Sequence, residues 1–146
     1  WILRYVDHLS VFSHVAPLKR KTAKLTGRAL VKIMSTAVVP EILQSDNGSE
    51  FLGKCITYVK EYFKAVSIVK GRLRCPNEQG SVERGNADFK KALHKWQQAY
   101  PDEKWPLVGI YVVNHQINTR PTDNKANKSA YEIYYGNKCQ VQHPTS

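Results

Sequence analysis

Cysteine is scarce in this sequence, which argues against a disulfide-stabilised domain and against a zinc-binding domain. The chain of 146 residues has three of them, Cys55, Cys75 and Cys139, which lie far apart and form no Cys-x-x-Cys pair. An odd and scattered set does not build a disulfide scaffold, and the five histidines lack the spacing of zinc ligands. We therefore expect a protein of a reducing compartment, nuclear or cytoplasmic.

Long hydrophobic runs are also missing. The longest strongly apolar run extends from Leu107 to Val113, which is far too short to span a bilayer, so we expect no membrane partner. The first residue is Trp1 rather than methionine, and it opens a run of β-forming residues. We interpret the chain as an N-terminally truncated part of a longer protein.

Acidic residues are outnumbered by basic ones. The chain has 12 Asp and Glu against 22 Lys and Arg, which gives a net charge of +10 and a pI near 9.6. Such an excess favours DNA or RNA as a partner, although a basic pI is also common in proteins that are merely soluble. The hydrophobic content of 42% predicts one globular domain over residues 1–146.

Strand and helix patterns alternate along the chain. Runs of β-forming residues predict strands at 1–6, 11–18, 41–45 and 65–69, the first two joined as an antiparallel hairpin. Apolar residues at three-to-four spacing predict helices at 21–37, 52–63, 81–100, 104–118 and 129–135. The helix at 104–118 is apolar nearly all round, so we expect it to be well buried. Polar loops are predicted at 71–79 and 119–128, and a frayed tail at 137–146. This order indicates a mixed α/β sheet covered by helices.

Two carboxylates stand in distinctive local settings. Asp46 directly follows a predicted strand, where α/β folds place their ligand sites, and Glu83 lies in the first turn of a predicted long helix. Two carboxylates brought together repel each other unless a divalent cation lies between them. We therefore predict a catalytic metal site at Asp46 and Glu83. The alternatives are an ordinary Asp-Asn-Gly turn and a negative charge favoured by the helix dipole.

Polar and basic side chains continue from Glu83. Asn86 and Lys90 follow it at i+3 and i+7, so the three share one helix face, which suits a phosphate backbone or is simply solvated. The preceding loop adds the cations Lys70, Arg72 and Arg74. A further basic group at a strand-to-helix junction could contact DNA, but a solvated helix start is the favoured interpretation; it comprises Lys19, Arg20, Lys21 and Lys24.

These motifs resemble the catalytic core of retroviral and LTR-retrotransposon integrases. The resemblance rests on residues 46–51 (Asp-Asn-Gly-Ser-Glu-Phe) and on the pattern Pro76-x-x-Gln79-Gly80-x-x-Glu83-Arg84-x-Asn86. It extends over nearly the whole chain, from the Val-Asp-His-x-Ser-x-Phe-Ser segment at 6–13 to the Ser-Ala-Tyr-Glu-x-x-Tyr-Gly segment at 129–136. The chain is especially similar to integrase-like domains of transposon-derived host proteins, including KRAB- and SCAN-domain proteins.

The resemblance implies an RNase H-like fold and a three-carboxylate site that binds two Mg²⁺ or Mn²⁺ ions. Asp46 matches the second acid of the family and Glu83 the third. The mobile-loop glutamine that contacts DNA corresponds to Gln79, and the helix positions that approach the substrate correspond to Asn86 and Lys90. Arg84, which belongs to the same motif, is also expected to bind nucleic acid. DNA is then the partner, and the chain is expected to be a homo-oligomer.

The first acid of the family has no counterpart here. Asp7 lies in the segment that resembles the family's second strand, whereas the first acid belongs to a preceding, central strand. We therefore expect the chain to lack that strand and to be inactive as it stands. The loop also departs from the family pattern, with Cys75 where His or Asn is usual and Asn77-Glu78 where Gln-Ser is usual.

Three functions follow as alternatives. The first is an integrase-type polynucleotidyl transferase that performs metal-dependent DNA integration, by phosphodiester cleavage and strand transfer. The second is a domesticated, non-catalytic module for nucleic-acid binding or protein assembly, which the changed loop favours. The third, a nuclease for RNA–DNA hybrids, is disfavoured because the settings of Asp46 and Glu83 resemble integrase motifs.

Overall fold

The computed structural model describes residues 1–45, 48–51, 53–70 and 76–140, and for residues 76–81 it describes the backbone alone. The chain divides into two compact units. Unit 1 comprises Trp1–Leu3 and Ala16–Gly85, and unit 2 comprises Arg4–Val15 and Asn86–Ser146. None of the helices in the described ranges has both the length and the hydrophobicity that crossing a membrane requires.

The first two strands form the predicted hairpin. Strand β1 (Ile2–Val6) pairs with β2 (Ser13–Pro17) in a two-stranded sheet. The Leu18 N–H donates to the Trp1 carbonyl at 2.7 Å, and the Asp7 N–H donates to the Phe12 carbonyl at 2.8 Å. Residues near the start of one strand thus pair with residues near the end of the other, as in an antiparallel ladder.

Two helices pack together in unit 1. Helix α1 (Ala23–Thr36) begins after Thr22, whose side chain accepts a hydrogen bond from the Leu25 N–H as an N-cap. Helix α2 (Lys54–Tyr62) follows a 3₁₀ turn at Ser49–Phe51. The two helices approach closely because Gly27 has no side chain where it meets the ring of Tyr58. Of the residues at three-to-four spacing that predict this helix, Thr26, Leu30, Ile33 and Met34 are buried, whereas Ala37 follows the last residue of the helix and is half-buried.

Unit 1 also contains a parallel strand pair. Strand β3 (Ile42–Ser45) pairs with β4 (Ser67–Lys70), and the connection between them contains α2, as parallel pairing requires. In the register, Ser45 lies opposite Lys70. The chain therefore leaves both strands at the same edge of this small sheet.

Helix α3 (Pro76–Ala99) begins earlier than the sequence predicts. Residues Pro76–Gln79 were expected to be loop, but they form the first turn of the helix. A proline is tolerated at the first helical position because its missing N–H would have no partner there, so Pro76 starts the helix rather than breaking it. The apolar stripe is confirmed at Phe89, Leu93 and Trp96, which are buried, whereas Val82 and Tyr100 are exposed.

The next helix differs from the expectation of a fully buried segment. A π-helical turn at Trp105–Gly109 leads into α4 (Ile110–Thr119). Ile110 and Val113 are buried, but Leu107 is 68% exposed and Tyr111 is also exposed. The prediction of a well-buried helix was wrong because the buried face of α4 includes two asparagines, described below, while several apolar residues at and after the π-helical turn face solvent.

The last part of unit 2 contains more structure than the predicted polar loop. Strand β5 (Pro121–Thr122) pairs antiparallel with β6 (Lys128–Ser129) around a 3₁₀ turn at Asp123–Lys125. Helix α5 (Ala130–Tyr135) then begins with a capping box between Ser129 and Glu132 and ends at Gly136, whose φ of 78° suits glycine. The start and end of this helix confirm the prediction.

The class of fold is the predicted α/β arrangement of helices and small sheets. The described strands pair as three two-stranded sheets, β1–β2, β3–β4 and β5–β6, rather than as one continuous sheet. Both parallel and antiparallel pairs occur, so the mixed character is confirmed.

Candidate functional site

The edge where β3 and β4 end carries the predicted site of unit 1. Asp46 directly follows Ser45 in the sequence but lies outside the described residues, as do Arg72 and Arg74. The described part of the edge is the register pair Ser45 and Lys70, with Lys70 exposed. A cation and the residue before the predicted acid therefore lie side by side. The proximity of Asp46 to Glu83 stays a prediction.

Glu83 lies on α3 with an exposed side chain. Because the helix begins at Pro76, Glu83 is its eighth residue. The helix dipole favours negative charge in the first turn, and Glu83 lies beyond that turn. The sequence-based alternative of N-terminal stabilisation therefore does not apply. Glu83 forms no hydrogen bond or ion pair with the described residues. Its carboxylate oxygens are available, and they are the hard donors that Mg²⁺ and Mn²⁺ prefer.

The predicted nucleic-acid residues of α3 are exposed, but one of them also has a structural partner. Arg84, Asn86 and Lys90 all face solvent. The Asn86 Oδ1 accepts a hydrogen bond from Arg4 Nη1 at 3.1 Å. Burial lowers the pKa of Arg4, and the nearby Asp88 carboxylate opposes this effect. Asn86 therefore helps to hold a half-buried guanidinium, a role that the sequence pattern did not indicate. Gln79 lies in the first turn of α3, and its side chain is outside the described part.

Within the described residues, no cluster of three or more His, Cys, Asp or Glu side chains could hold a metal ion. The predicted metal pair is not tested by this finding, because one of its two members, Asp46, lies outside those ranges. Of the two predicted metal ligands, the described residues include Glu83 alone, and its exposed carboxylate fits a metal ligand set completed by other acids.

An ion pair after β3 joins the buried Glu50 to the half-exposed Lys21, and the sequence patterns did not indicate it. Glu50 is 8% exposed, and its carboxylate lies 3.0 Å from Lys21 Nζ. The same carboxylate covers Gly48, so closely that a Cβ there would lie 2.8 Å from an oxygen. Burial raises the pKa of the Cys55 thiol, and the charge of Glu50 raises it further. The ion pair links the turn after β3 to the start of α1. Sequence reasoning had assigned Lys21 to a solvated helix start.

Asp7, the acid excluded as a catalytic residue by the resemblance, has a structural role in the β1–β2 connection. Its Oδ2 accepts hydrogen bonds from the Ser10 hydroxyl at 2.6 Å and from the Ser10 N–H at 2.8 Å. The turn contains Val11 at a φ of 63°, and the Val11 N–H donates to the Asp7 carbonyl at 2.9 Å. The ammonium of Lys125 donates to the Ser10 carbonyl at 2.7 Å. The carboxylate of Asp7 is thus engaged in shaping this turn.

We predict a pH-dependent stability effect at Asp7. Burial raises the pKa of Asp7, but the hydrogen bonds from Ser10, the charge of His8 and a hydrogen bond from the Leu9 backbone together outweigh it, and the pKa lies below its usual value. Because the folded pKa is depressed, the stabilisation is present above the unfolded pKa of about 3.9 and is lost as pH falls through the folded value. Asp7→Asn should lower the free energy of unfolding by about 1 kcal/mol at pH 7 and by less at pH 3. Urea denaturation at the two pH values measures this.

The matched control for Asp7 is Asp102→Asn, which changes an exposed carboxylate of the same unit and should leave stability unchanged at both pH values. An equal loss for Asp7→Asn at pH 7 and pH 3 would contradict the assigned role of its charge.

The chain is similar in sequence to parts of larger proteins. It is 27% identical over 140 residues to human KRAB-A domain-containing protein 2, covering 96% of this chain and 28% of that protein. It is also 27% identical over 140 residues to the Gag-Pol polyprotein of feline leukemia virus and 29% identical over 140 residues to the Pol polyprotein of radiation murine leukemia virus (strain Kaplan). Those alignments cover 93% of this chain and 8% and 23% of the polyproteins. The chain therefore spans less than a third of each relative. No protein-family model matches it.

Solved structures with the same fold are retroviral integrases. The catalytic core domain of BIV integrase superposes with a TM-score of 0.77 and 23% identity, over 92% of this chain and 85% of that one. The HTLV-2 integrase catalytic core, solved as a trimer with magnesium, gives a TM-score of 0.73 and 21% identity over 91% of each chain. A simian T-cell lymphotropic virus intasome, solved in complex with a PP2A regulatory subunit, superposes with a TM-score of 0.78 and 19% identity. That match covers 99% of this chain and 51% of the other chain.

Proposed function

We propose that this chain, which has the RNase H-like fold of retroviral integrase catalytic cores, is the core of a DNA-processing polynucleotidyl transferase. The observation that carries the proposal is the match of fold over 92% of the chain. It is supported by the acid-bearing motifs of the sequence resemblance, of which the first follows β3 directly in the sequence and the second includes Glu83 on α3. Fold alone does not assign chemistry, so the proposal depends on those two motifs.

The proposed reaction is cleavage of a DNA phosphodiester and transfer of a strand. Asp46 and Glu83 would hold Mg²⁺ or Mn²⁺, and the metal supplies activation of the attacking oxygen and stabilisation of the leaving one. The carboxylate of Glu83 is exposed and has no partner among the described residues, which supports this role. Lys70 lies at the edge that precedes the cationic loop, where it would bind a phosphate without regard to sequence. Further phosphate and substrate contacts are proposed for Arg72, Arg74, Gln79, Arg84, Asn86 and Lys90.

A homo-oligomer is proposed from the same resemblance. Leu107, Val108 and Tyr111 are exposed apolar residues at and after the π-helical turn, and a monomer leaves them in water. An assembly would cover them and gain from removing apolar surface from solvent.

We predict that the two acids are required for metal-dependent activity. In a protein in which this chain is joined to an N-terminal strand carrying the family's first acid, Asp46→Asn or Glu83→Gln should lower Mn²⁺-dependent nicking and strand transfer by at least about a hundredfold. The reason is that even residues that only support metal ligands cost about 10–100-fold when changed. Labelled duplex DNA and gel analysis of the products measure both reactions. Mn²⁺ affinity, followed by calorimetry, should fall in parallel.

The control is Glu103→Gln, which removes an exposed carboxylate from another segment and should leave both readouts unchanged. The second candidate function, a non-catalytic nucleic-acid-binding module, is favoured by the exposed cations, which bind phosphates whether or not the acids are present. It predicts DNA affinity that falls with salt but is unchanged in both acid variants, together with no metal-dependent product from the wild type. That result would reject the catalytic proposal.

A further inference from the structure

The first helix of unit 1 carries an unusual concentration of one charge. Between residues 19 and 36 the sequence has six cations and no Asp or Glu: Lys19, Arg20, Lys21, Lys24, Arg28 and Lys32. Three of the six lie before α1 and are exposed, and one of these, Lys21, is paired with the buried Glu50. The other three lie within the helix itself.

Those three cations form a straight ridge, which we call the α1 ridge: Lys24, Arg28 and Lys32. They are spaced by four residues, so successive side chains lie about 6 Å apart along one face of the helix. All three are exposed, opposite the buried face that includes Leu30 and Met34. No described acidic side chain forms an ion pair with any of them. Three like charges at this spacing repel one another, and that repulsion is relieved when a polyanion binds.

An exposed aromatic ring accompanies the α1 ridge on the neighbouring helix. Tyr62 of α2 is 59% exposed, and its ring centroid lies 5.4 Å from that of Tyr58, which packs against Gly27 of α1. A hydrogen bond with Tyr58 raises the pKa of Tyr62, while the guanidinium of Arg28 acts in the opposite direction. Arg28 directly follows Gly27, where α1 meets Tyr58, and Tyr58 is the ring neighbour of Tyr62, so the α1 ridge passes beside this pair of rings. Cations beside a solvent-facing ring are the combination that binds single-stranded nucleic acid.

We propose that the α1 ridge and Tyr62 form a nucleic-acid-binding surface that takes a single strand, with its phosphates on the ridge and a base stacked on the ring. This surface lies on α1 and α2, on different elements from the proposed catalytic residues. This inference rests on the proposed function, because the choice of DNA as the ligand comes from that function. It also replaces the sequence-based interpretation of this region as an ordinary solvated helix start. A ridge of fixed cations on a helix packed against α2 needs no ordering of the chain when it binds.

The test is the salt dependence of binding to a labelled single-stranded oligonucleotide, measured by fluorescence anisotropy. The ridge variant is K24Q/R28Q/K32Q, which keeps good helix formers and removes three charges. We expect its affinity to fall at least about tenfold at moderate salt, and the slope of log K against log salt to become shallower by about 2, since each released contact contributes about 0.7 for single strands. Tyr62→Ala should weaken binding about fivefold or more with the slope unchanged.

The matched control removes three exposed lysines of unit 2, as K104Q/K128Q/K138Q, and so lowers the net charge equally. It should keep the wild-type slope. Circular dichroism checks that all variants remain folded. Equal effects of the ridge and control variants would overturn the proposal, because net charge alone would then explain binding. Unchanged oligonucleotide binding by the ridge variant would also overturn it.

These outcomes are separable from those of the proposed function. A wild type that cuts and joins DNA while the ridge variant binds normally would leave the catalytic proposal standing and reject the ridge. Ridge-dependent binding by a protein with no metal-dependent activity would support the ridge and reject the catalytic proposal.

Discussion

Asn118→Leu should destabilise the protein by about 3 kcal/mol, although leucine is similar in size and apolar. Asn118 is 3% exposed on α4, and its amide interacts with the backbone of Ser13 in β2. Its Oδ1 accepts from the Ser13 N–H at 3.0 Å, and its Nδ2 donates to the Ser13 carbonyl at 2.8 Å. Leucine would leave the buried N–H without a partner, and that cost is much larger than the net gain from one hydrogen bond.

Asn114→Leu is the matched control, because Asn114 belongs to the same network but is replaceable in it. Its Nδ2 donates to the Ser13 carbonyl at 2.7 Å, and its Oδ1 accepts from the Ser13 hydroxyl at 2.6 Å. Asn118 can serve both of these groups, since it already lies 2.8 Å from the carbonyl and 3.3 Å from the hydroxyl. We expect a loss of only about 1–2 kcal/mol. Urea denaturation followed by circular dichroism measures both values, and a larger loss for Asn114 would refute this ranking.

Gly109→Ala should also destabilise the protein, by about 3 kcal/mol. The backbone of Gly109 has helical angles, φ −56° and ψ −44°, so alanine suits the conformation and would normally stabilise it. However, a Cβ there would lie 2.5 Å from two carbons of the Trp96 ring, which is itself buried. The ring has no room to move away without displacing its neighbours, because protein interiors are close-packed. The clash therefore outweighs the helix propensity.

A double-mutant cycle isolates that clash. Trp96→Leu alone will cost stability through the lost burial of the ring. In the Trp96→Leu background, however, Gly109→Ala should cost little stability or even increase it, because the ring carbons that clash with the added Cβ are absent. Thermal unfolding followed by circular dichroism gives the four free energies. Equal costs of Gly109→Ala in both backgrounds would show that the Trp96 contact is not the cause.

Local patterns determined much of the fold and one half of the candidate site. The start of α5 was predictable because Ser129 and Glu132 complete each other's hydrogen bonds within one turn, and its end because Gly136 accepts a positive φ. The hairpin was predicted from two runs of β-forming residues and the short connection between them. The strands β3 and β4 were predicted from the same signal, but their parallel pairing was seen only in the structure. The setting of Glu83 on a long helix was likewise visible, although the true start of α3 at Pro76 was not.

The tertiary structure decided which polar residues are buried in the protein interior. Asparagines on α4 resemble surface residues in the sequence, and only the approach of Ser13, about a hundred positions away, makes them core residues. Glu50 and Lys21 look like solvated charges until folding brings the turn after β3 to the start of α1. Gly109 looks like a flexible point until the Trp96 ring covers it. The sequence by itself determined the elements and the acid-bearing motifs, because propensity, capping and periodicity act over a few residues. Partners distant in the chain needed the fold, because a buried polar group takes whatever donor or acceptor packing brings within 3 Å or so.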